Sequence, residues 1–130
     1  MNFITKNAVM VAVLIVVVIG VIGGVWFMQH QQPSVNYDTF AQCIKDSGAQ
    51  FYGAFWCPHC QEQKALFGNA EKNLPYIECS TPDTNGQLQV CIDEKITVYP
   101  TWKFKDGTIH EGDMSLQELA DQTKCVLPTK

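Results

Sequence analysis

Two cysteines three positions apart, Cys57-Pro58-His59-Cys60, are the residues best placed to do chemistry in this chain of 130 residues. Such a pair can make and break a disulfide if one sulfur is exposed to a partner and the other is protected. A position at the start of a helix meets that need. The first cysteine then sits where unpaired backbone N–H groups and the helix dipole stabilise a thiolate, and the thiolate is the nucleophile. The second lies one turn inside, shielded until it resolves a mixed disulfide. Pro58 suits the first turn of such a helix. His59, when protonated, favours the thiolate further, which makes the reduced form more stable and the pair more oxidising. A zinc half-site and a purely structural bridge are the competing readings. Zinc normally takes four ligands, usually as two such pairs. The sequence holds no second CxxC and no HxxxH, and His30 and His110 stand apart, as surface residues do. The expectation is a redox-active Cys57–Cys60 disulfide with no bound cofactor and no metal. The rival of a different class is a tethered metal-binding module using Cys57, Cys60 and His59.

The elements that must position this pair follow from periodicity. Gln50 to Trp56 is apolar and aromatic on both faces, the pattern of a central strand buried on both sides. The helix predicted after it runs from Cys57 to about Gly68. Before it, Tyr37, Phe40, Ala41 and Ile44 recur at i, i+3, i+4 and i+7, an amphipathic helix that Asn36 or Asp38 can cap and Gly48 can end. Tyr76 to Cys79 reads as a short strand, followed by a polar loop, Ser80 to Gly86. Leu88, Cys91, Ile92 and Ile96 then sit at helical spacing, with Leu88 and Ile92 expected in the core. Trp102 opens an alternating strand, Asp106-Gly107 is a hairpin turn into Thr108-Ile109-His110, and Ser115 with Glu118 matches a capping box before the last helix. That helix presents Leu116, Leu119, Ala120 and Thr123 inward. This order predicts an α/β fold, a mixed sheet with helices on both faces. Tyr99-Pro100-Thr101 falls just before the Trp102 strand, where proline is tolerated; on sequence alone its peptide bond is trans by default.

The first 32 residues read as a signal anchor and linker, and residues 36–127 as the folded domain. Ala8 to Met28 runs 21 residues without a charged or strongly polar side chain, enough at ~1.5 Å per residue to cross a ~30 Å bilayer core. A cleaved signal peptide has a shorter apolar stretch and a small-residue cleavage site; none follows here, so the anchor is expected to remain, with cleavage the alternative. Gln29 to Val35 reads as the linker. Six cysteines, an even number, suit an oxidising compartment, and Lys6 is a weak positive-inside signal. A single-pass protein of the cell membrane, its domain on the extracytoplasmic side, is expected. Outside the anchor, eight lysines face thirteen acidic residues and there is no arginine. Nucleic acid is therefore excluded as a partner, for want of a basic patch or a guanidinium to read bases.

Phe55-Trp56-Cys57-Pro58-His59-Cys60 followed by Tyr99-Pro100-Thr101 resembles the thioredoxin superfamily. The longer string Phe51 to Gly68, with Tyr76 to Cys79, Cys91 and Tyr99 to Trp102, is similar to the thioredoxin-like domain fused to bacterial and plant vitamin K epoxide reductase homologues. The resemblance covers nearly all of residues 37–124. It implies a thioredoxin-like fold, a cis Tyr99–Pro100 bond facing the dithiol, and Trp56, Tyr99 and Thr101 at the substrate surface. It also implies a second disulfide, Cys79–Cys91. The polar loop between those two cysteines has little apolar surface of its own to hold it down. Elimination among the six cysteines then leaves Cys43 with Cys125, a pair outside the family pattern. The implied activity is thiol–disulfide exchange, with thiols of exported proteins as substrates. The four-helix reductase domain is absent from this sequence, so its quinone-linked partner, of the vitamin K epoxide reductase or DsbB type, is expected as a separate membrane protein. The Pro-His dipeptide is that of DsbA-type oxidants. Phe51 replaces the buried aspartate beneath the active site of thioredoxin, which weighs against a reductant, though isomerase and reductase remain the alternatives. Glu78, beside Cys79, could shuttle a proton or be a satisfied carboxylate, and Lys64 reads as a surface residue.

Overall fold

The structure, a computed structural model, describes residues 2–29 and 35–129. Its contacts divide the chain into two units, Met1–Ser34 and Val35–Lys130. The linker read at Gln29 to Val35 and His30 lie almost entirely outside the described residues.

The first unit is one helix, α1 (Asn2–Gln29). Within it Asn7–Met28, 22 residues, is long and apolar enough to cross a membrane. Its apolar side chains from Val9 to Met28 are exposed all round. A run so rich in valine and isoleucine is a poor helix former in water. In lipid the backbone must satisfy its own hydrogen bonds, which a helix does.

The second unit is built on a four-stranded mixed sheet in the order β2-β1-β3-β4. β1 (Gln50–Gly53) runs parallel to β2 (Tyr76–Glu78) and antiparallel to β3 (Thr101–Lys103), which pairs antiparallel with β4 (Ile109–Glu111). Successive side chains of a strand face opposite ways, so Phe51 and Tyr52 lead into two different cores. Phe51 sits opposite Trp102 in the register and stacks on it, ring centroids 4.6 Å apart. Phe104, two residues on, continues the stack at 6.3 Å. Against these rings pack α2 (Asp38–Asp46) through Phe40, Ala41 and Ile44, α3 (Pro58–Ala65) through Cys60, and α5 (Leu116–Thr123) through Leu119 and Ala120. Tyr52, on the other face, is buried with Cys79, Cys91 and Ile96, against which the partly buried Ile77 and Tyr99 pack, with α4 (Gln89–Asp93) alongside.

Local chemistry fixes the ends of these elements. Ser115 accepts the Glu118 N–H at 3.2 Å while Glu118 accepts the Ser115 N–H at 2.8 Å, a complete capping box for α5. Lys124 then takes a left-handed conformation, φ +61°, and Cys125 bonds Cys43 on α2 with Cα atoms 5.9 Å apart. The second disulfide, Cys79–Cys91, has Cα atoms 5.6 Å apart and ties α4 to the end of β2. Both separations suit unstrained bridging. Gly107, at φ +87°, closes the hairpin between β3 and β4, with Asp106 accepting the Thr108 N–H at 2.9 Å.

Several expectations are corrected. The strand predicted through Trp56 ends at Gly53; the chain turns there, and Phe55 and Trp56 stand 46% and 47% exposed. Helix α3 begins at Pro58 rather than Cys57 and stops at Ala65, and a 3-10 segment, Gly68–Asn73, follows. Asp38 does not cap α2; its own N–H donates to Asn36 Oδ1 at 2.8 Å, and Tyr37 holds the cap position. Ile92 is exposed rather than core, because α4 is a turn and a half long and only Cys91 faces in. Helix cover is uneven: α2, α3 and α5 meet one face and a short α4 the other.

Candidate active site

The turn after β1 delivers the first cysteine. The Cys57 N–H donates to the Ala54 carbonyl at 3.0 Å, reversing the chain so that Cys57 caps α3 with extended backbone, φ −77° and ψ 120°. Pro58 follows at the first helical position, where no N–H is needed. Cys60, one turn in, is 1% exposed. Cys57 is itself only 6% exposed, so both sulfurs are largely covered and the expected contrast between an exposed and a protected thiol is one of degree. Both thiols are unbonded in this structure.

What covers Cys57 comes from the far end of the sequence. Its sulfur lies 3.7 Å from the Tyr99 carbonyl oxygen, and the Tyr99–Pro100 peptide bond is cis. Pro100 and Thr101 are buried; Thr101 donates its hydroxyl to the Val98 carbonyl at 2.8 Å, and the Pro100 carbonyl accepts the Gly112 N–H at 2.8 Å. Tyr99 meets Trp56 edge to face at 6.2 Å, and the Trp56 indole donates to Ser80 Oγ at 2.8 Å. Gln87 donates to the Tyr99 hydroxyl at 2.6 Å. Of the three residues expected at a substrate surface, Trp56 and Tyr99 stand together beside Cys57, while Thr101 points into the fold.

The two thiols differ in surroundings. Burial pushes the Cys60 thiol up to about 12; the Ala54 backbone and the Lys64 ammonium oppose the rise, and Cys57 adds to it. Cys60 is thus a neutral thiol at physiological pH. Lys64, expected at the surface, lies half-buried with its ammonium 3.3 Å above the Tyr76 ring. Burial, and then the neighbouring Glu78, push the Tyr76 phenol well above its ordinary range, so Tyr76 stays a donor. Its hydroxyl reaches Glu78 Oε2 at 2.9 Å, and Glu78 Oε1 accepts from the N–H groups of Phe55, Cys79 and Ser80 at 3.2, 3.1 and 2.8 Å. With these partners Glu78 reads as a satisfied carboxylate that fixes the active-site turn to the end of β2.

His59 meets carboxylates. Its Nδ1 lies 3.0 Å from Asp113 and 3.5 Å from Glu62, all three side chains being exposed. Among the described residues these three are the grouping of potential metal donors, and neither Cys57 nor Cys60 is part of it. The loop carrying Asp113 is held by Gln63, a fully buried amide on α3 that donates to the Met114 carbonyl at 2.9 Å and accepts the Met114 N–H at 2.7 Å. Sequence reading missed Asp113, Gln63 and Ser80. Only Gln63 carried a signal, as a polar residue three positions after Cys60 on the inward face of the helix.

No protein-family model matches the chain. Over 90 residues it is 43% identical to the thiol-disulfide oxidoreductase LTO1 of Arabidopsis thaliana, covering 65% of this chain and 23% of that protein. Over 103 residues it is 32% identical to the thioredoxin domain-containing protein 5 homolog of Drosophila melanogaster, covering 68% of this chain and 24% of that protein. The chain thus spans about a quarter of the length of these relatives. With its β2-β1-β3-β4 mixed sheet and its helices, the second unit has a thioredoxin-like fold.

Proposed function

We propose that this chain is a thiol–disulfide oxidoreductase anchored to the membrane by α1, working outside the cytoplasm as an oxidant of exported protein thiols. The observation that carries the reading is the placing of Cys57 at the start of α3, under the Tyr99 carbonyl, with a buried Cys60 one turn behind it. In the oxidising direction a substrate thiolate attacks Cys57 of the Cys57–Cys60 disulfide, and Cys60 leaves as a thiolate that takes up a proton. A second substrate thiolate then attacks the mixed disulfide, releasing Cys57 and an oxidised substrate. Burial of Cys60 favours its protonated form, which draws the first step forward. Two electrons and two protons come to rest on the dithiol, and a separate quinone-linked membrane reductase of the vitamin K epoxide reductase or DsbB type would remove them. Support for the location comes from Cys43–Cys125 and Cys79–Cys91, two disulfides of the kind that persist in oxidising compartments. Support for the activity comes from the 43% identity to a protein named for it.

Trapping tests the assignment of roles. Cys60→Ser should accumulate mixed disulfides with partner proteins in membranes, and Cys57→Ser should not; equal trapping by both refutes it. The reduction potential tests direction. A value toward that of DsbA, about −120 mV, supports an oxidant, whereas one near about −270 mV, that of thioredoxin, makes the chain a reductant.

A further inference from the structure

Gly53 is the last residue of β1, and no turn or left-handed backbone requires a glycine there. Space requires it. A Cβ built at position 53 would lie 2.8 Å from Cys60 Sγ, 2.9 Å from Tyr76 Cε2 and 3.4 Å from Cys60 Cβ. The first two are closer than such atoms approach in folded proteins. Neither neighbour can give way freely. Tyr76 is pinned by its hydroxyl on Glu78 and by the edge of Phe51, 5.1 Å between ring centroids. Cys60 lies on α3 and is 1% exposed. The bare backbone of Gly53 is therefore the floor on which the Cys60 sulfur rests.

We propose that Gly53 is a positioning residue for Cys60, acting on the step in which that thiol closes the disulfide and not on the step in which Cys57 meets its partner. The proposal rests on the thiol–disulfide reading above. In the closing step Cys60 sulfur attacks Cys57 sulfur of a mixed disulfide. The Cys57–Cys60 bond forms, the Cys57–partner bond breaks, the partner leaves with the electron pair, and the Cys60 proton passes to it through solvent. This displacement needs three sulfurs in line. A Cβ at 53 pushes the attacking sulfur outward by a good fraction of an ångström, and a misplacement of about 1 Å can slow a reaction on the order of a hundredfold. The atoms nearest that Cβ belong to Cys60 and Tyr76, while Cys57 is held separately by its N–H on the Ala54 carbonyl.

The test is Gly53→Ala in the full chain, in detergent, reduced and then mixed with oxidised glutathione. Formation of the Cys57–glutathione mixed disulfide should stay within about twofold of wild type. Its conversion to the Cys57–Cys60 disulfide should slow by roughly ten- to a hundredfold, read by quenching and mass. Conversion at the wild-type rate in a folded variant overturns the proposal, as does equal slowing of both steps. Should Gly53→Ala fold poorly, Gly53→Ala/Cys60→Ala decides: removal of the sulfur relieves the closer of the two short contacts and leaves the one with Tyr76, so the double variant should regain part of the lost melting temperature, and no recovery overturns the proposal. If the wild-type chain itself forms no mixed disulfide at Cys57, the oxidoreductase reading fails, and the thermal comparison still judges whether Gly53 seats Cys60.

Discussion

The two faces of the sheet are held by different means. One buries Phe40, Ile44, Phe51, Phe67, Trp102 and Leu119 under three helices; the other buries Tyr52, Cys79, Cys91 and Ile96 under one short helix. Full burial of a large apolar side chain stabilises by about 1.5–3 kcal/mol, so the thick face has apolar area to spare and the thin face has not. The thin face substitutes a covalent bond and a hydrogen-bonded polar loop, in which Thr81 accepts the Gly86 N–H at 2.9 Å. This division runs through the candidate active site. Cys57 and Cys60 belong to the thick core, whereas Trp56, through Ser80, and Tyr99, through Gln87, lean on the loop and short helix of the thin face. The two thiols are thus seated on the face with the larger apolar core, and the aromatic pair beside them leans on the lighter one.

The largest effect expected from disturbing this arrangement is loss of the strap across the thick face. Cys43→Ala/Cys125→Ala opens a bridge between residues 82 apart in sequence, worth roughly 4–5 kcal/mol in the chain-entropy picture. Denaturant unfolding should show that loss with the glutathione potential unchanged, because the strap joins α2 to the residue after α5 and neither carries Cys57. A potential shifted along with stability would mean that the thick face does not insulate the dithiol.

Cys79→Ala/Cys91→Ala should cost less overall, about 3 kcal/mol for a separation of 12, and should cost it locally. Amide exchange at Cys91 and Ile96 should quicken well before that at Trp102. The rate of exchange with protein thiols should fall more than the rate with glutathione, because the Trp56 and Tyr99 supports loosen. A uniform rise in exchange across both faces would erase the distinction between them.

Glu78→Gln probes the joint between the two. The carboxylate accepts four hydrogen bonds from Phe55, Tyr76, Cys79 and Ser80, and bonds to a charged group are worth about 1.5–3 kcal/mol each when lost outright. An amide keeps part of that set, so a loss of about 1–2 kcal/mol is expected, measured by thermal unfolding. Near-zero cost would show that the turn after β1 is held by Cys57 and Ala54 alone.

What the sequence made legible was local or periodic. The dithiol, the cis-proline turn after it, the Ser115–Glu118 box and the inward faces of α2 and α5 are all patterns within a few residues or carried by family resemblance. The strand end was misread because Phe55 and Trp56 are as aromatic as Phe51 and Tyr52, and composition does not register a reversal set by one backbone hydrogen bond to Ala54. Ile92 was misread because helical spacing from Leu88 to Ile96 presumes a helix of nine residues, and Lys95, at φ +57°, ends the chain's helical course early. The partners of Gln63, the place of Asp113 beside His59 and the close approach of Gly53 to Cys60 and Tyr76 lay beyond reach for another reason. Each depends on contacts between distant segments, such as the 51 residues from Gln63 to Met114.

The smallest effect vanishes at neutral pH and sharpens the comparison by asking how dry the thick face is. In the reduced protein the Cys60 thiol is pushed by burial to about 12, against 9.0 for a free thiol. Below about pH 9 both folded and unfolded chains keep the proton, and the group contributes its full share to stability. Between about 9 and 12 the unfolded chain releases the proton while the folded one holds it, so stability falls as pH rises, with a limiting slope of about 1.4 kcal/mol per pH unit. The measurement is a difference, which cancels what the two chains share: urea unfolding of the reduced chain against reduced Cys60→Ala from pH 8 to 10.5. The two should run parallel below pH 9 and converge above it, the wild type losing stability faster. Equal slopes throughout for reduced wild type and Cys60→Ala would mean that water reaches the Cys60 sulfur, and that the thick face shelters it no better than the thin face shelters Trp56.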